Sequence, residues 1–265
     1  MYTPIQLAVK YIQYYLFAEN GRGHGVHSPF VYDLITKVLN DDRAFYIFQP
    51  IEDCRKILQN NYDEITIQDF GAGSRIEKSS VRSVAAITTT SLKPKKYGQL
   101  LFRLVNYFSP NTILELGTSL GITSAYMASA NSNAKLITME GSTAIAAIAA
   151  ANFKQLGISN ATIITGNFDD TLAKTLEKIE LINFAFLDGN HRYEPTIRYF
   201  EQVLQKSDEY TVIVLDDIHW SKEMEAAWVE VKNHQSVTLT IDLFYVGLVF
   251  FRKEHKEKQH FIVRY

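Results

Sequence analysis

The sequence predicts an α/β protein with a doubly wound, mostly parallel sheet of seven strands, an antiparallel C-terminal hairpin and an N-terminal helical extension. Two observations support this prediction. From residue 109 onward, short β-branched or apolar runs alternate with helical stretches, which is the pattern of βαβ units. Near the C-terminus, the runs 237–243 and 246–251 are separated by only two residues, too few for a parallel crossover, so we expect them to form an antiparallel hairpin at the sheet edge.

The elements of the predicted sheet follow one another at regular intervals. Five strand-like runs precede the hairpin, at residues 112–116, 135–139, 162–165, 184–187 and 211–215. Helical patterns lie after these runs, at residues 122–130, 143–156, 172–178, 194–204 and 221–232. Residues 261–264 form either a last strand or a tail.

The first 92 residues have a different pattern, which predicts a mainly helical extension followed by a catalytic domain over residues 93–265. Ile5, Val9, Ile12 and Leu16 recur at helical spacing, and a second helical pattern begins near Phe30. The apolar face of the first helix has no partner evident in the sequence, and this makes a homodimer plausible.

Composition and charge exclude several classes of protein. The chain has 265 residues, of which 46% are hydrophobic, and a formal net charge of −2. Its longest late apolar run, 243–251, is well short of the roughly 20 residues that span a bilayer. We therefore expect no membrane partner, and the slightly acidic balance argues against a nucleic-acid partner. With a single cysteine, Cys54, and no secretion signal, the sequence indicates a cytoplasmic protein without disulfides.

Two glycine-containing turns are candidates for a cofactor loop. One is Gly71-Ala72-Gly73-Ser74 and the other is Gly117-Thr118-Ser119-Leu120-Gly121, and each follows a strand-like run. A nucleotide-type site needs a carboxylate at the end of the next strand to accept the ribose hydroxyls. Glu140 stands nineteen residues after Gly121 at such a strand end, whereas no acidic strand end follows Gly73. We therefore assign the cofactor to the second turn and a structural role to the first.

The residue before the second turn indicates the chemistry of the cofactor. This turn lacks the middle glycine of the dinucleotide fingerprint and is preceded by Glu115. A carboxylate there would repel a pyrophosphate but suits a cationic group. S-adenosylmethionine (SAM), with its sulfonium and ammonium groups, is therefore favoured over NAD. The other interpretation is that Glu115 only caps a neighbouring helix.

Polar residues lie at the carboxyl ends of the predicted parallel strands, where open sheets bind ligands. They are Glu115, Glu140, the triplet Gly166-Asn167-Phe168, Asp188 and the pair Asp216-Asp217. Asp188, Asp216 and Asp217 supply hard oxygen ligands from neighbouring strand ends, a set suited to Mg²⁺. Asp217 could instead cap the next helix.

His191 follows Asp188 by three residues and is a candidate general base, because an imidazole can take a proton from a substrate hydroxyl near neutral pH. The competing interpretation is that His191 packs at the start of the next helix. His219 and Trp220 follow the acidic pair, where they either line the substrate pocket or pack at a helix entry.

The segment 113–124, Ile-Leu-Glu-Leu-Gly-Thr-Ser-Leu-Gly-Ile-Thr-Ser, resembles the first motif of class I SAM-dependent methyltransferases. The order and spacing of the later strand ends are similar to those of cation-dependent O-methyltransferases of the catechol and bacterial natural-product type. This resemblance covers about the last 170 residues and implies a Rossmann-like sheet.

The resemblance also implies a role for each matching residue. Glu115, Gly117 and Thr123 would hold the methionine part of SAM, with Thr118 and Gly121 in the same cofactor loop. Glu140 would bind the ribose, and Asn167 with Phe168 the adenine. The three aspartates Asp188, Asp216 and Asp217 match the positions that bind the divalent metal.

One departure from the family pattern concerns the base. Catechol-type members place a lysine shortly after the first of these aspartates, and this sequence has none there. His191 instead sits where some sugar-methylating relatives have a catalytic histidine, so the acceptor need not be a catechol. We expect metal-assisted methyl transfer from SAM to a hydroxyl of a small molecule, with His191 or Asp188 receiving the proton.

Three other functions remain open at the level of sequence. The first is a metal-independent methyltransferase acting on nitrogen or RNA. The second is a non-catalytic SAM-binding or scaffold protein, and the third, more distant, is an NAD-dependent oxidoreductase.

Overall fold

The computed structural model describes residues 1–19, 21–69, 78–254 and 257–265. These residues divide into two compact units, one made of Met1–Asp41 with Ile179–Tyr265 and the other of Asp42–Lys178. The boundary at residue 92, predicted from the sequence between an N-terminal extension and a catalytic domain, stays a prediction. The first glycine turn, at residues 71–74, lies outside the described residues.

The helices and strands follow the chain in alternation over most of its length. The helices are α1 (Pro4–Phe17), α2 (Pro29–Leu34), α3 (Phe48–Gln59), α4 (Val84–Ser91), α5 (Lys95–Phe108), α6 (Ile122–Ala130), α7 (Thr143–Gln155), α8 (Phe168–Leu176), α9 (Tyr193–Leu204) and α10 (Lys222–Asn233), with a π-helical turn at Ile35–Leu39. The strands are β1 (Glu64–Asp69), β2 (Lys78–Ser83), β3 (Thr112–Leu116), β4 (Lys135–Glu140), β5 (Ala161–Thr165), β6 (Phe184–Leu187), β7 (Val212–Asp216), β8 (Leu239–Asp242), β9 (Val246–Phe250) and β10 (Gln259–Ile262).

The unit 42–178 is built on three parallel strands, in which β4 pairs with β3 on one side and with β5 on the other. Helices α6 and α7 are the crossover connections between these strands. Helix α5 packs closely on α6, because Gly98 leaves room for a ring: a Cβ atom there would lie 2.6 Å from the ring of Tyr126. The hairpin of β1 and β2 completes this unit.

In the other unit the strands pair in the order β6, β7, β9, β8 and β10. The β6–β7 and β8–β10 pairs are parallel, whereas β9 runs antiparallel to both of its neighbours. Every residue of β6, β7, β8 and β9 is buried. Such continuous apolar runs are typical of strands covered on both faces.

The predicted fold class is confirmed, with two corrections. The five predicted parallel strands and the C-terminal hairpin are all present. However, the hairpin does not form the edge, because β10 pairs with β8 and raises the number of strands from seven to eight across the two units. The N-terminal extension also contains the hairpin β1–β2 besides its helices. The sequence does not predict β2, because the polar run Lys78–Ser83 has no alternation that marks a strand. No helix in the described part of the chain is long and apolar enough to cross a membrane.

Candidate cofactor and metal sites

Two backbone hydrogen bonds attach the second glycine turn to the neighbouring strand β4. The amides of Gly117 and Thr118 both donate to the carbonyl of Met139, at 3.0 Å each. Gly117 and Gly121 have φ values of 104° and 79°, in the region that favours glycine. Gly121 immediately precedes α6, so the turn leads directly into a helix N-terminus. Such a turn presents backbone amides to a ligand.

Glu115 lies fully buried on β3, directly before this turn. Its Oε2 accepts a hydrogen bond from the Thr138 hydroxyl at 2.6 Å and another from the Ser124 hydroxyl. The Thr118 and Thr138 hydroxyls are 2.5 Å apart, and since Thr138 donates to Glu115 it accepts from Thr118. The Oε1 atom of Glu115 has no hydrogen-bond partner among the described residues.

Burial sets the acidity of this carboxyl group. Desolvation raises the pKa of Glu115 to about 7, against the opposing effect of the Ser124 and Thr138 hydrogen bonds. A buried carboxyl oxygen without a partner is costly for the fold. A ligand ammonium placed beside it would supply the missing donor and favour the ionised form. The observed site therefore fits the cationic cofactor that the sequence predicts.

Glu140 connects the glycine turn to the turn after β4. Its Oε2 accepts from the amide of Ser119 and its Oε1 from the amide of Ser142, both at 2.9 Å. Each carboxylate oxygen has a second lone pair, and the residue is only half-buried. Glu140 can therefore accept a ribose hydroxyl while it keeps the turn in place.

Asn167 and Phe168 stand where β5 leads into α8. The Asn167 side-chain oxygen caps this helix by accepting from the amide of Asp169 at 3.0 Å. Phe168, the first residue of α8, is partly exposed. Adenine binding by these two residues stays a prediction, and the Asn167 oxygen already accepts the capping hydrogen bond of α8.

Thr123 is buried in the first turn of α6, and its contact with the methionine part of SAM also stays a prediction.

Three side chains in the unit that contains β6 and β7 form a group suited to a metal ion. Asp188, His191 and Asp216 each offer one ligand atom, and these atoms all lie within 4.8 Å of one another. The pairing of Leu187 with Leu215 brings Asp188 and Asp216 to the same end of the two parallel strands. Asp216 is fully buried. Two carboxylates and an imidazole fit a divalent ion of the Mn²⁺ or Mg²⁺ class, with the imidazole favouring the former.

The membership of this group differs from the predicted metal set. His191, expected as a base, is in the group, and its Nε2 lies 3.4 Å from Oδ1 of Asp188. Asp217 is not in the group formed by the described residues. Asp217 instead adopts a left-handed conformation with φ of 52°, and its carbonyl accepts from the amide of Trp220 at 2.9 Å. Its role as a ligand stays a prediction.

His219 bridges two carboxylates rather than simply lining a pocket. Its Nδ1 lies 3.1 Å from Oε1 of Glu225, and its Nε2 lies 2.8 Å from Oδ2 of Asp242. Burial lowers the pKa of His219, but the two carboxylates outweigh it and raise the pKa above its usual value. Trp228 also donates to Asp242 Oδ2, at 3.1 Å.

A comparison with protein families gives an assignment for the segment that carries these strand ends. Residues 114–218 match the family model described as a methyltransferase domain. The matched segment runs from β3 to just past β7 and includes every residue that the sequence analysis predicts for the cofactor and for the metal. A search of curated protein sequences found no significant match.

Solved structures with the same fold include several O-methyltransferases. The O-methyltransferase from Bacillus cereus, in complex with SAH, is 18% identical and covers 83% of this chain and 96% of its own, with a TM-score of 0.57. SAH-bound PaMTH1 from Podospora anserina is 12% identical over 85% and 97%, with a TM-score of 0.60. TomG from Streptomyces achromogenes, in complex with SAM, is 20% identical over 61% and 82%, with a TM-score of 0.53. The chain therefore shares the fold of these structures, and this fold is the Rossmann-like sheet that the sequence predicts.

Replacing the buried carboxyl group should change how stability depends on pH. Since the pKa of Glu115 is about 7 in the fold and 4.5 ordinarily, the folded state holds a proton that the unfolded state loses. The free energy of unfolding of the wild type should fall by about 3 kcal/mol from this group as the pH rises through that interval.

Glu115→Gln removes this titration but keeps a side chain of the same shape. Urea unfolding should show that the free energy of unfolding of the variant, relative to that of the wild type, is higher at pH 8 than at pH 5. A difference between the two proteins that does not change with pH would contradict the assignment.

Proposed function

We propose that this protein is a SAM-dependent O-methyltransferase that acts on a hydroxylated small molecule with the help of a divalent cation. The observation that carries the proposal is the group of Asp188, His191 and Asp216, found in a chain whose residues 114–218 match a methyltransferase domain model. Structural relatives described as O-methyltransferases with bound SAM or SAH support the cofactor and the reaction type. We further propose a cytoplasmic location and no nucleic-acid partner.

The cofactor residues lie in the unit 42–178. In the proposed complex the Oε1 atom of Glu115, which has no partner among the described residues, receives the ammonium group of the cofactor. Glu140 accepts a ribose hydroxyl. The remaining contacts come from Gly117, Thr118, Gly121 and Thr123 in the glycine turn and α6, and from Asn167 and Phe168 at the adenine.

The proposed chemistry needs a deprotonated, well-oriented oxygen on the acceptor. SAM supplies a methyl group on a sulfonium leaving group, and a bound divalent cation lowers the pKa of a hydroxyl. Asp188, Asp216 and Asp217 would hold the cation. His191 takes the proton of the acceptor hydroxyl, and Asp188, 3.4 Å from its Nε2, stabilises the imidazolium that results.

Metal dependence tests this proposal directly. Purified protein would be assayed with SAM, Mn²⁺ or Mg²⁺ and a panel of hydroxylated acceptors, with and without EDTA. Turnover should require the cation, and His191→Asn should lower kcat by about 100-fold or more, the usual contribution of a general base. Asp216→Asn should weaken Mn²⁺ binding at least about 10-fold, because the buried ligand loses its charge.

The control is Asp33→Asn, which alters an exposed carboxylate paired with Lys37 and should leave metal binding and turnover unchanged. SAH affinity should be the same in all four proteins. Turnover that is insensitive to EDTA would favour metal-independent methylation. SAH binding without transfer to any acceptor would favour a non-catalytic SAM-binding protein.

We also propose that the protein forms a homodimer through the outer face of α1. This helix packs on its own unit through Tyr14 and Ala18, which are buried. A stripe on the opposite face consists of the exposed residues Ile5, Val9, Ile12 and Leu16. Their spacing of four, three and four residues is that of a helix–helix seam.

Charge and area favour a second copy as the occupant of this face. The one charged residue of α1, Lys10, is paired with Glu225, so two copies of the stripe would meet without like-charge repulsion. A membrane-surface helix would instead carry cationic residues beside its apolar face. The exposed apolar residues of α1, extended by Phe17, offer on the order of 800 Å², as much as one partner contributes to a standard interface.

Two isoleucine variants test the dimer. Ile12 on the stripe and Ile57 on α3 are both 57% exposed, so Ile12→Glu and Ile57→Glu add the same charge at equal exposure. Sedimentation equilibrium should show a dimer for the wild type and for Ile57→Glu, and at least about a 10-fold weaker dimer for Ile12→Glu, because a charge is buried in an apolar seam. A monomeric wild type, or one that binds lipid vesicles through α1, would overturn this proposal.

A further inference from the structure

The N-terminal helix is attached to α10 by a charged and hydrogen-bonded contact. The hydroxyl of Tyr2 donates to Oε2 of Glu225 at 2.6 Å. The ammonium group of Lys10 donates to both carboxylate oxygens of Glu225, at 2.9 and 3.1 Å. These residues are about 220 positions apart in sequence, so the contact fixes the start of the chain on its C-terminal part.

The same contact continues to the segment that follows β7. Glu225 faces Nδ1 of His219 at 3.1 Å, and the amide of Tyr2 donates to the carbonyl of Trp220 at 3.1 Å. Segment 216–220 begins with the candidate metal ligand Asp216 and ends with Trp220. It is therefore held from the N-terminus at its last two residues.

The far side of His219 is held equally firmly. Its Nε2 lies 2.8 Å from Asp242, and the carboxylate of Asp242 also accepts from the amide of Phe244 at 2.8 Å. The His219 ring stacks on Phe244 with 5.3 Å between centroids, and Tyr11 of α1 meets the same phenyl ring edge-on at 5.1 Å. Segment 216–220 is thus enclosed between α1, α10 and the turn between β8 and β9.

We propose that Tyr2 and Lys10 are positioning residues for the metal ligand Asp216, acting through Glu225, His219 and Trp220. The inference rests on the proposed metal-assisted function. In this proposal the N-terminal segment orients a metal ligand, in addition to forming a dimer through the outer face of α1.

The backbone of the segment explains why such a contact is needed. Asp217 has a left-handed φ of 52°, a conformation that costs a non-glycine residue energy and persists only where its surroundings impose it. The turn closed by the Trp220 amide on the Asp217 carbonyl places Asp216 at its start. Releasing Trp220 and His219 lets this turn relax, and Asp216 then moves relative to Asp188. Groups that orient a metal ligand typically change metal affinity by about 10- to 100-fold.

Hydrogen exchange tests the positional part of the proposal without any metal. The double variant Tyr2→Phe/Lys10→Met removes the two donors that the N-terminal segment gives to Glu225 and keeps the bulk of the side chains. Peptides covering 216–220 should exchange at least about 5-fold faster than in the wild type, because local opening becomes easier. The matched control is Lys37→Met, which removes an exposed ion pair of the same unit and should leave the exchange of 216–220 unchanged. Unchanged exchange in the double variant would overturn the proposal.

Calorimetric titration with Mn²⁺ alone tests the functional part. The double variant should bind Mn²⁺ about 10-fold more weakly, while its SAH affinity stays at the wild-type value. Lys10→Arg, which keeps the cation opposite Glu225, should retain the wild-type Mn²⁺ affinity. Equal Mn²⁺ affinity in wild type and double variant would overturn the positioning role and leave the proposed function standing. Absence of Mn²⁺ binding in the wild type would overturn both the metal in the proposed function and this positioning role.

Discussion

A carboxyl group buried without a compensating charge is the central constraint on the structure of the unit 42–178. Glu115 is fully buried at the end of β3, and its hydrogen bonds with Ser124 and Thr138 join this strand to α6 and β4. An apolar side chain would fill the same space without the cost of a polar group that is only partly satisfied. An acid at this position, with one oxygen lacking a partner among the described residues, fits the proposed cationic cofactor, whose ammonium group would supply the missing donor.

Much of the sheet could be predicted because the hydrophobic pattern of each strand is contained in a short run of sequence. The runs that became β4, β6 and β7 are largely apolar, and each ends in an acidic residue or is followed at once by one. Parallel strands end on the same side, so the sequence alone predicts that Asp188 and Asp216 meet. By contrast, the sequence of β8 contains no feature that predicts its pairing with β10. In the hairpin β1–β2, the run that became β1 has a strand-like pattern, but the polar sequence of its partner β2 has none.

The details of both candidate sites depend on contacts that no sequence period encodes. Thr138 looks like an ordinary strand residue, yet its hydroxyl is what connects Glu115 to Thr118. Its polarity inside an otherwise apolar run was the available signal. The entry of His191 into the metal group depends on the turn after β6. The link from the N-terminus to Glu225 and His219 joins positions more than 200 residues apart, which helical spacing cannot predict.

Proton release on cofactor binding tests the role of Glu115 most directly. SAH would be titrated calorimetrically at pH 6.5 in two buffers of different ionisation enthalpy, so that the number of protons released can be separated from the heat of binding. Because the pKa of Glu115 is about 7, most of these carboxyl groups are protonated beforehand and lose the proton when an ammonium binds. The wild type should release more than half a proton per SAH, and Glu115→Gln should release none. Binding of SAH to the wild type without proton release would contradict the account.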